Sequence, residues 1–275
     1  MPIDAKKRSG SSTGRMFRNK IILTGRKWHF NLFLWISPRR KGSVNSLKFS
    51  IIVPVFHERE RINQLIEYLN RSDFERNVEI IVVDGSHEKD TLSAIHSEEV
   101  IKISSETGRA KQMNAGASVA LGEILIFLHA DTELPPRALK KIDSLMEQGD
   151  HVGGAFDLGI KSDKFIFKVI ATLSSLRSRL NRIPFGDQAI FIRREFFKKI
   201  GGYKEIPLME DVELMRRIKK SGNRIWIFYD RVMTSPRRWE KKGVVYCTLR
   251  NWTLQTLYFL GISPHKLIHF YKSDY

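Results

Sequence analysis

The chain has a single cysteine, Cys247, among 275 residues. A lone thiol cannot close an intramolecular disulfide or build a cysteine zinc cluster, so cysteine usage gives no sign of an oxidising compartment. Long apolar runs are also missing. The nearest candidate, Trp28 to Ile36, falls well short of the ~20 residues that cross a bilayer. No Gly-x-Gly-x-x-Gly follows the first strand-like segment, so the dinucleotide fingerprint does not apply. Zinc-ligand spacing, an RNP-like aromatic motif and a Gly-rich KH loop are absent too, and nucleic-acid binding has no motif to rest on. No internal repeat is present.

Acid is scarce in one place. Residues 1–48 hold twelve Lys and Arg and one acid, Asp4, whereas the remainder has 35 basic and 29 acidic residues. Most of the formal net charge of +17 therefore sits in a leader. A mildly basic body needs no partner beyond a phosphorylated substrate. Residues 1–47 read as a disordered or peripheral tail, with an organelle transit peptide, a membrane-surface anchor or a mis-assigned start as alternatives. The expected location is cytoplasmic, with peripheral membrane contact left open. No obligate protein partner is indicated.

The folded body is expected over 48–275. Short β-branched runs at 49–56, 78–84 and 123–128 read as buried strands, with weaker ones at 100–103, 151–160, 189–192 and 224–228. Helical spacing appears over 58–70, 88–96, 108–121, 137–148, 165–180, 210–220 and 244–260. This alternation implies an α/β fold, a mainly parallel central sheet with helices on both faces, and ligands beyond the carboxyl ends of the strands. The helices at 165–180 and 244–260 read as packing on the sheet, with lying on a membrane as the alternative. The aromatics at 246, 252, 258 and 259 read as core rather than as a sugar platform.

Four clusters carry candidate chemistry. Val83-Asp84-Gly85-Ser86 ends a strand on a carboxylate able to receive a base or ribose; taken alone, an ordinary Asp turn is the simpler reading. In His129-Ala130-Asp131, residues two apart on an extended backbone share one side, so both could face a divalent ion held jointly with phosphates. The alternative makes Asp131 a cap for the next helix. Glu210-Asp211 opens a helix, where acids complement the dipole or, at a pocket edge, supply a general base. Arg109, Lys111 and Asn114 start a helix, and Arg237-Arg238-Trp239 lies late in the chain; such forks match phosphate oxygens, or are solvated surface charge.

The order of these motifs resembles family 2 glycosyltransferases of the GT-A fold over about residues 48–272. Ser50 to Glu58, which includes Pro54, resembles the opening strand of that family. Val82-Val-Asp-Gly-Ser86 matches its base-binding loop, Leu128-His-Ala-Asp131 its Asp-x-Asp position, and Gly201-Gly-Tyr203 with Glu210-Asp211 its acceptor-side signature. Gly108 to Gly116, Leu128 to Thr132, Gly186-Asp-Gln188, Leu208 to Glu213 and Arg237-Arg-Trp239 resemble a small subgroup named for arsenosugar biosynthesis and for radical-SAM and selenium-associated gene clusters. His129 stands where the wider family has its first Asp, which opens its role as metal ligand or ribose contact. Ser235 stands where processive members carry Gln.

The resemblance implies an inverting transferase that moves a sugar from a nucleotide-diphosphate donor to a hydroxyl acceptor, small molecule or lipid. A divalent metal, Mn²⁺ or Mg²⁺, would be held by Asp131 and His129. Donor contacts fall to Pro54, Glu58, Asp84, Arg109, Lys111, Asn114, His129 and Arg238. Acceptor or sugar contacts fall to Asp187, Gln188, Glu210 and Trp239, and the base is Asp211. Residues 48–132 would be the nucleotide-binding half and 133–275 the acceptor half. A metal-dependent nucleotidyltransferase and a non-enzymatic membrane- or nucleic-acid-binding module are the rivals.

Overall fold

Two β-branched runs start the sheet. β1 (Phe49–Val55) and β2 (Val78–Asp84) lie parallel, with Phe49 opposite Val78 and Val55 opposite Asp84. The computed structural model describes residues 47–71 and 77–271; the expected basic leader lies outside these residues apart from Leu47. β3 (Ile101–Ser104) joins β2, and β4 (Ile124–Phe127) joins the other side of β1, both parallel. Ile51, Ile52, Val53, Ile81, Val82 and Val83 are all buried, as a strand covered on both faces requires.

The later strands change direction. β5 (Thr132–Glu133), β6 (Gly153–Ile160), β7 (Phe191–Arg193) and β8 (Ile225–Thr234) complete an eight-stranded sheet in the order β3-β2-β1-β4-β7-β6-β8-β5. β7 runs antiparallel to both β4 and β6, β6 and β8 are parallel, and β5 pairs antiparallel with β8. The sheet is thus mixed: parallel across its first four strands, with antiparallel pairs beyond. The carboxyl ends of β1, β2 and β4 share one rim, where Glu58, Asp84 and Asp131 follow.

Helices cover both faces. α1 (Ile62–Arg71) buries Ile62, Leu65, Ile66 and Leu69, the i, i+3, i+4, i+7 stripe that its spacing predicts. α2 (Asp90–Ala94) follows β2, and α3 (Arg109–Val119) packs small residues, Ala110, Ala115 and Ala117, on the opposite side. α4 (Ala138–Glu147), α5 (Phe165–Asn181), α6 (Arg194–Lys199), α7 (Glu210–Lys220), α8 (Arg237–Lys242), α9 (Val244–Phe259) and α10 (Pro264–Leu267) follow. The expected packing of α5 and α9 is only half correct. Their small or polar residues Ala171, Ser175, Ser178, Cys247 and Gln255 are buried. Tyr246, Trp252 and Phe259, read from sequence as core, are exposed.

Candidate active site

Asp84 is fully buried at the end of β2. Its Oδ1 accepts the Ser86 N–H at 2.8 Å, closing an Asx-type turn. Its Oδ2 has no hydrogen-bond partner, a costly state for a buried carboxylate oxygen unless a ligand completes it. Gly85 follows because no side chain fits: a Cβ would lie 2.8 Å from Gln112 Cδ. The Gln112 amide donates to the Val55 carbonyl at 2.7 Å and to the Val83 carbonyl at 2.9 Å, clamping β1 to β2 beside the site. Sequence reading did not pick out Gln112.

Glu58 faces the same rim. Its Oε1 pairs with Arg237 Nη2 at 2.8 Å, while its Oε2 is buried without a partner. The Arg237 pairing ties the loop after β1 to α8 and was not anticipated. His57, just before Glu58, holds φ at 54°. Ala189 at 49° and Met209 at 65° likewise adjoin Gln188 and Glu210. Each left-handed non-glycine residue costs about 1–2 kcal/mol, and such strain gathers where side chains must be aimed.

The turn after β4 corrects the extended-backbone reading of 129–131. The Thr132 N–H donates to the His129 carbonyl at 3.1 Å, so the chain turns and the two-apart, same-side argument fails. His129 and Asp131 remain electrostatic neighbours. Burial first, and then Arg109, push the His129 pKa down to about 4 against the pull of Asp131, leaving a neutral imidazole at neutral pH. Asp131 is not a helix cap: Arg137 occupies that position for α4. Its Oδ1 lies 3.4 Å from Thr132 Oγ1 and 3.5 Å from Thr234 Oγ1. A cleft of about 250 Å³ opens beside Asp131, lined also by Arg61, Gln64, Lys161 and Ser235.

Asp211 lies in the first turn of α7, and its carboxylate accepts N–H groups from Gly186 and Val212, each at 2.7 Å. Gly186 also presses on His129: a Cβ there would lie 3.1 Å from His129 Nε2 and 3.5 Å from Asp211 Oδ2. The turn after β4 and the N-terminus of α7 therefore meet across one glycine. Burial pushes the Asp187 pKa up to about 6, opposed by Arg177 and reinforced by Asp211. Arg177 on α5 stacks 3.4 Å over the Phe185 ring. Burial lowers its pKa while Asp187 and Asp211 attract its charge. Sequence reading missed Arg177, because it lies in a segment whose pattern reads only as a packing helix. Burial also raises the pKa of Glu210, which pairs with Arg109 Nε at 3.4 Å.

Several expected contacts are spent on the protein itself. Gln188 is fully buried; its amide donates to the Phe156 carbonyl and accepts from Ser178 Oγ and the Phe185 N–H. It shapes the Asp187 loop, and its side chain is buried behind that loop. The Asn114 amide is bonded at both ends to the Tyr203 backbone, at 2.9 Å each, so it fixes the Gly201-Gly202-Tyr203 turn rather than reaching a donor. Lys111 pairs with Glu106 at 2.5 Å on the outside. Trp239 packs edge-on against Phe167, with centroids 6.0 Å apart. Pro54 lies within β1, half-buried. Arg238 donates to the Tyr271 hydroxyl at 3.1 Å, and its charge still acts on His129 and Asp187.

Among the described residues no three His, Cys, Asp or Glu side chains gather closely enough to hold a metal ion by themselves. The donor set fits an ion bound by one carboxylate, with an imidazole near it, and completed by phosphate oxygens and water.

Comparison with known proteins places these features in company. A model of the family described as glycosyl transferase family 2 matches residues 50–201. A dolichol-phosphate mannosyltransferase of Pyrococcus furiosus is 26% identical over 129 residues, covering 44% of this chain and 37% of that protein. An uncharacterised glycosyltransferase of Haemophilus influenzae is 27% identical over 181 residues, covering 62% of this chain and 61% of its own length. The chain thus spans less than two thirds of either relative. Among solved structures, the mannosyltransferase PcManGT from Pyrobaculum calidifontis, in complex with GDP-Man and Mn²⁺, superposes with a TM-score of 0.54 at 22% identity, over 68% of this chain and 56% of that one. S. aureus TarS 1–349 in complex with UDP-GlcNAc gives 0.53 at 19% identity, over 68% and 58%. The shared fold is the expected GT-A type. None of these four names reaches the arsenosugar subgroup.

Proposed function

The chain belongs to glycosyl transferase family 2, and from that premise we propose that it is an inverting, metal-dependent glycosyltransferase acting on a nucleotide-diphosphate sugar and a hydroxyl acceptor. The observation that carries this is the meeting at Gly186 of His129 and Asp211, which joins the Asp131 turn to the helix start bearing the base. Residues 48–132 form the donor half and 133–275 the acceptor half.

Asp84 and Glu58 receive the nucleoside through the buried carboxylate oxygens that lack a protein partner. Asp131, with neutral His129 beside it, would hold Mn²⁺ or Mg²⁺, and a bound ion neutralises charge on the departing diphosphate. Arg109 and Arg238 add positive potential on the same side. Asp211 removes the acceptor hydroxyl proton as that oxygen attacks the anomeric carbon from the face opposite the diphosphate, which inverts the configuration. The Gly186 and Val212 N–H groups fix its carboxylate in one orientation. Asp187 positions the acceptor, with Arg177 balancing the paired carboxylates. Peripheral membrane association in the cytoplasm is part of the same proposal. The likeness to the arsenosugar subgroup proposes an acceptor class only.

The test is a panel of UDP-, GDP- and dTDP-sugars with Mn²⁺ or Mg²⁺. A true donor at 100 times its Kd adds about 2.7 kcal/mol of stability, and turnover releases the nucleoside diphosphate with an inverted anomeric centre. Release of pyrophosphate, or a retained anomer, would refute the reading.

A further inference from the structure

α5 carries large apolar residues on its outer face as well as on the face packed against the core. Its buried face holds Phe167 at one end and then only small residues, Ala171, Ser175 and Ser178; the Leu158 N–H of β6 donates to Ser175 Oγ at 3.0 Å. Its large apolar residues Phe165, Leu173, Leu176 and Leu180 recur at helical spacing on the outside, from 45% exposed at Leu173 to 79% at Phe165. α9 repeats the arrangement. It buries Cys247, Leu254 and Gln255 and exposes Val245, Leu249, Trp252 and Phe259. α8 connects the two helices, through the Phe167–Trp239 contact and the Lys164–Glu240 ion pair at 3.7 Å. Large apolar side chains grouped on one face of each helix, unlike singly scattered ones, mark an interaction site.

Charge selects the partner. Residues 161–182 and 237–271 together hold twelve Lys and Arg against two acids, Asp163 and Glu240, whereas all other residues from 49 onward hold 23 basic against 27 acidic. The positive excess of the folded body therefore lies on the two segments that expose apolar stripes; Arg177, Arg179, Arg237 and Arg238 are turned to acids or to the crevice, while Lys168, Arg182, Lys241 and Lys266 are exposed. Basic residues flanking Leu, Phe, Trp and Tyr are what a helix lying in a lipid interface requires: the stripe enters the acyl boundary, Trp and Tyr sit at headgroup depth, and Lys and Arg meet anionic phosphates. No helix among the described residues is long and apolar enough to cross a membrane, so these helices would lie on it.

We propose that the exposed faces of α5 and α9 form a docking surface for an anionic lipid bilayer. α5 belongs to both this surface and the crevice: Leu176 faces outward, and Arg177 next to it lies against Asp187 and Asp211. Docking thereby brings the acceptor end of the site to the lipid interface. This deepens the glycosyltransferase reading but stands on separate observations.

The full chain is sedimented with vesicles of phosphatidylcholine alone and of phosphatidylcholine with phosphatidylglycerol, at low and high salt. The wild type should bind the anionic vesicles and keep part of that binding at high salt. Leu176→Glu with Leu180→Glu should lower partitioning roughly ten- to a hundredfold, and Leu249→Glu with Trp252→Glu should do the same from the other helix. Melting temperature and donor-induced stabilisation, read on the same samples, should not move, which keeps failure here distinct from failure of the catalytic reading. If both double variants bind as the wild type does, the basic leader accounts for binding and the proposal fails. It fails equally if the wild type ignores vesicles and sediments as a dimer that the variants dissociate, because the surface then serves a second copy.

Discussion

The Gly186 N–H donates to Asp211 Oδ2 at 2.7 Å, and the same glycine leaves no room for a side chain beneath His129. One residue thus sets the spacing between the turn after β4 and the start of α7. Gly186→Ala should fold, because the neighbour a Cβ meets most closely is a side-chain atom, but it should displace His129 or Asp211 by a few tenths of an ångström. Steady-state kinetics should show kcat lowered about tenfold or more with little change in melting temperature. Wild-type kcat in this variant would remove Gly186 from the positioning role.

Asp211→Asn keeps the shape and one acceptor oxygen but cannot take a proton. The expected loss in kcat is about 10²–10⁴-fold, with donor affinity measured by calorimetry unchanged within a factor of two or so. Turnover within a factor of ten or so of wild type would assign the base elsewhere, with Asp187, a carboxylate that interacts with Asp211, the next to test.

Two titrations in the crevice oppose one another. Asp187, pushed up to about 6, holds in the folded state a proton that the unfolded chain has already lost, so its contribution to stability falls as pH rises from about 4 to 6. His129, pushed down to about 4, lacks in the folded state a proton that the unfolded chain still carries, so its contribution rises from about 4 to 6.5. Each slope is bounded by about 1.4 kcal/mol per pH unit and is reduced by solvent at the crevice mouth. Urea unfolding should give a stability rising with pH in Asp187→Asn and falling in His129→Asn, with the wild type flatter than either. Parallel curves in all three proteins would contradict this.

Gln112→Leu removes the clamp between β1 and β2: the Val83 carbonyl loses the amide as donor, and the Val55 carbonyl is left with the Gly85 N–H at 3.1 Å. Loss of about 2–4 kcal/mol is expected in denaturant unfolding, together with weaker donor binding. A change of less than about 0.5 kcal/mol would mean that water replaces the amide.

What could be read in advance follows from how local each signal is. The runs 49–55 and 78–84 declared themselves as strands because covered parallel strands are apolar throughout. Asp84 and Asp131 stood out because each follows an apolar strand, and Asp211 because it opens a helix together with Glu210. The reversal of β7 and the second half of β8, over 229–234, left no such trace: their pairing is decided by partners distant in the chain. Asn114 and Gln188 look like ligand-contact residues in sequence, yet their amides satisfy backbone groups far along the chain, as does that of Gln112. Arg177 was hidden for the opposite reason, an arginine in an apolar helix whose target is ten residues on and visible only once the loop folds back.

The most direct measurement concerns Asp131. Binding of the best sugar nucleotide should be titrated with and without Mn²⁺ in wild type and in Asp131→Asn. Donor affinity should rise with the metal in the wild type by about tenfold or more, and that gain should vanish in the variant while metal-free affinity stays the same. An equal metal-dependent gain in both proteins would contradict the assignment of Asp131 as the carboxylate that holds the cation against the diphosphate.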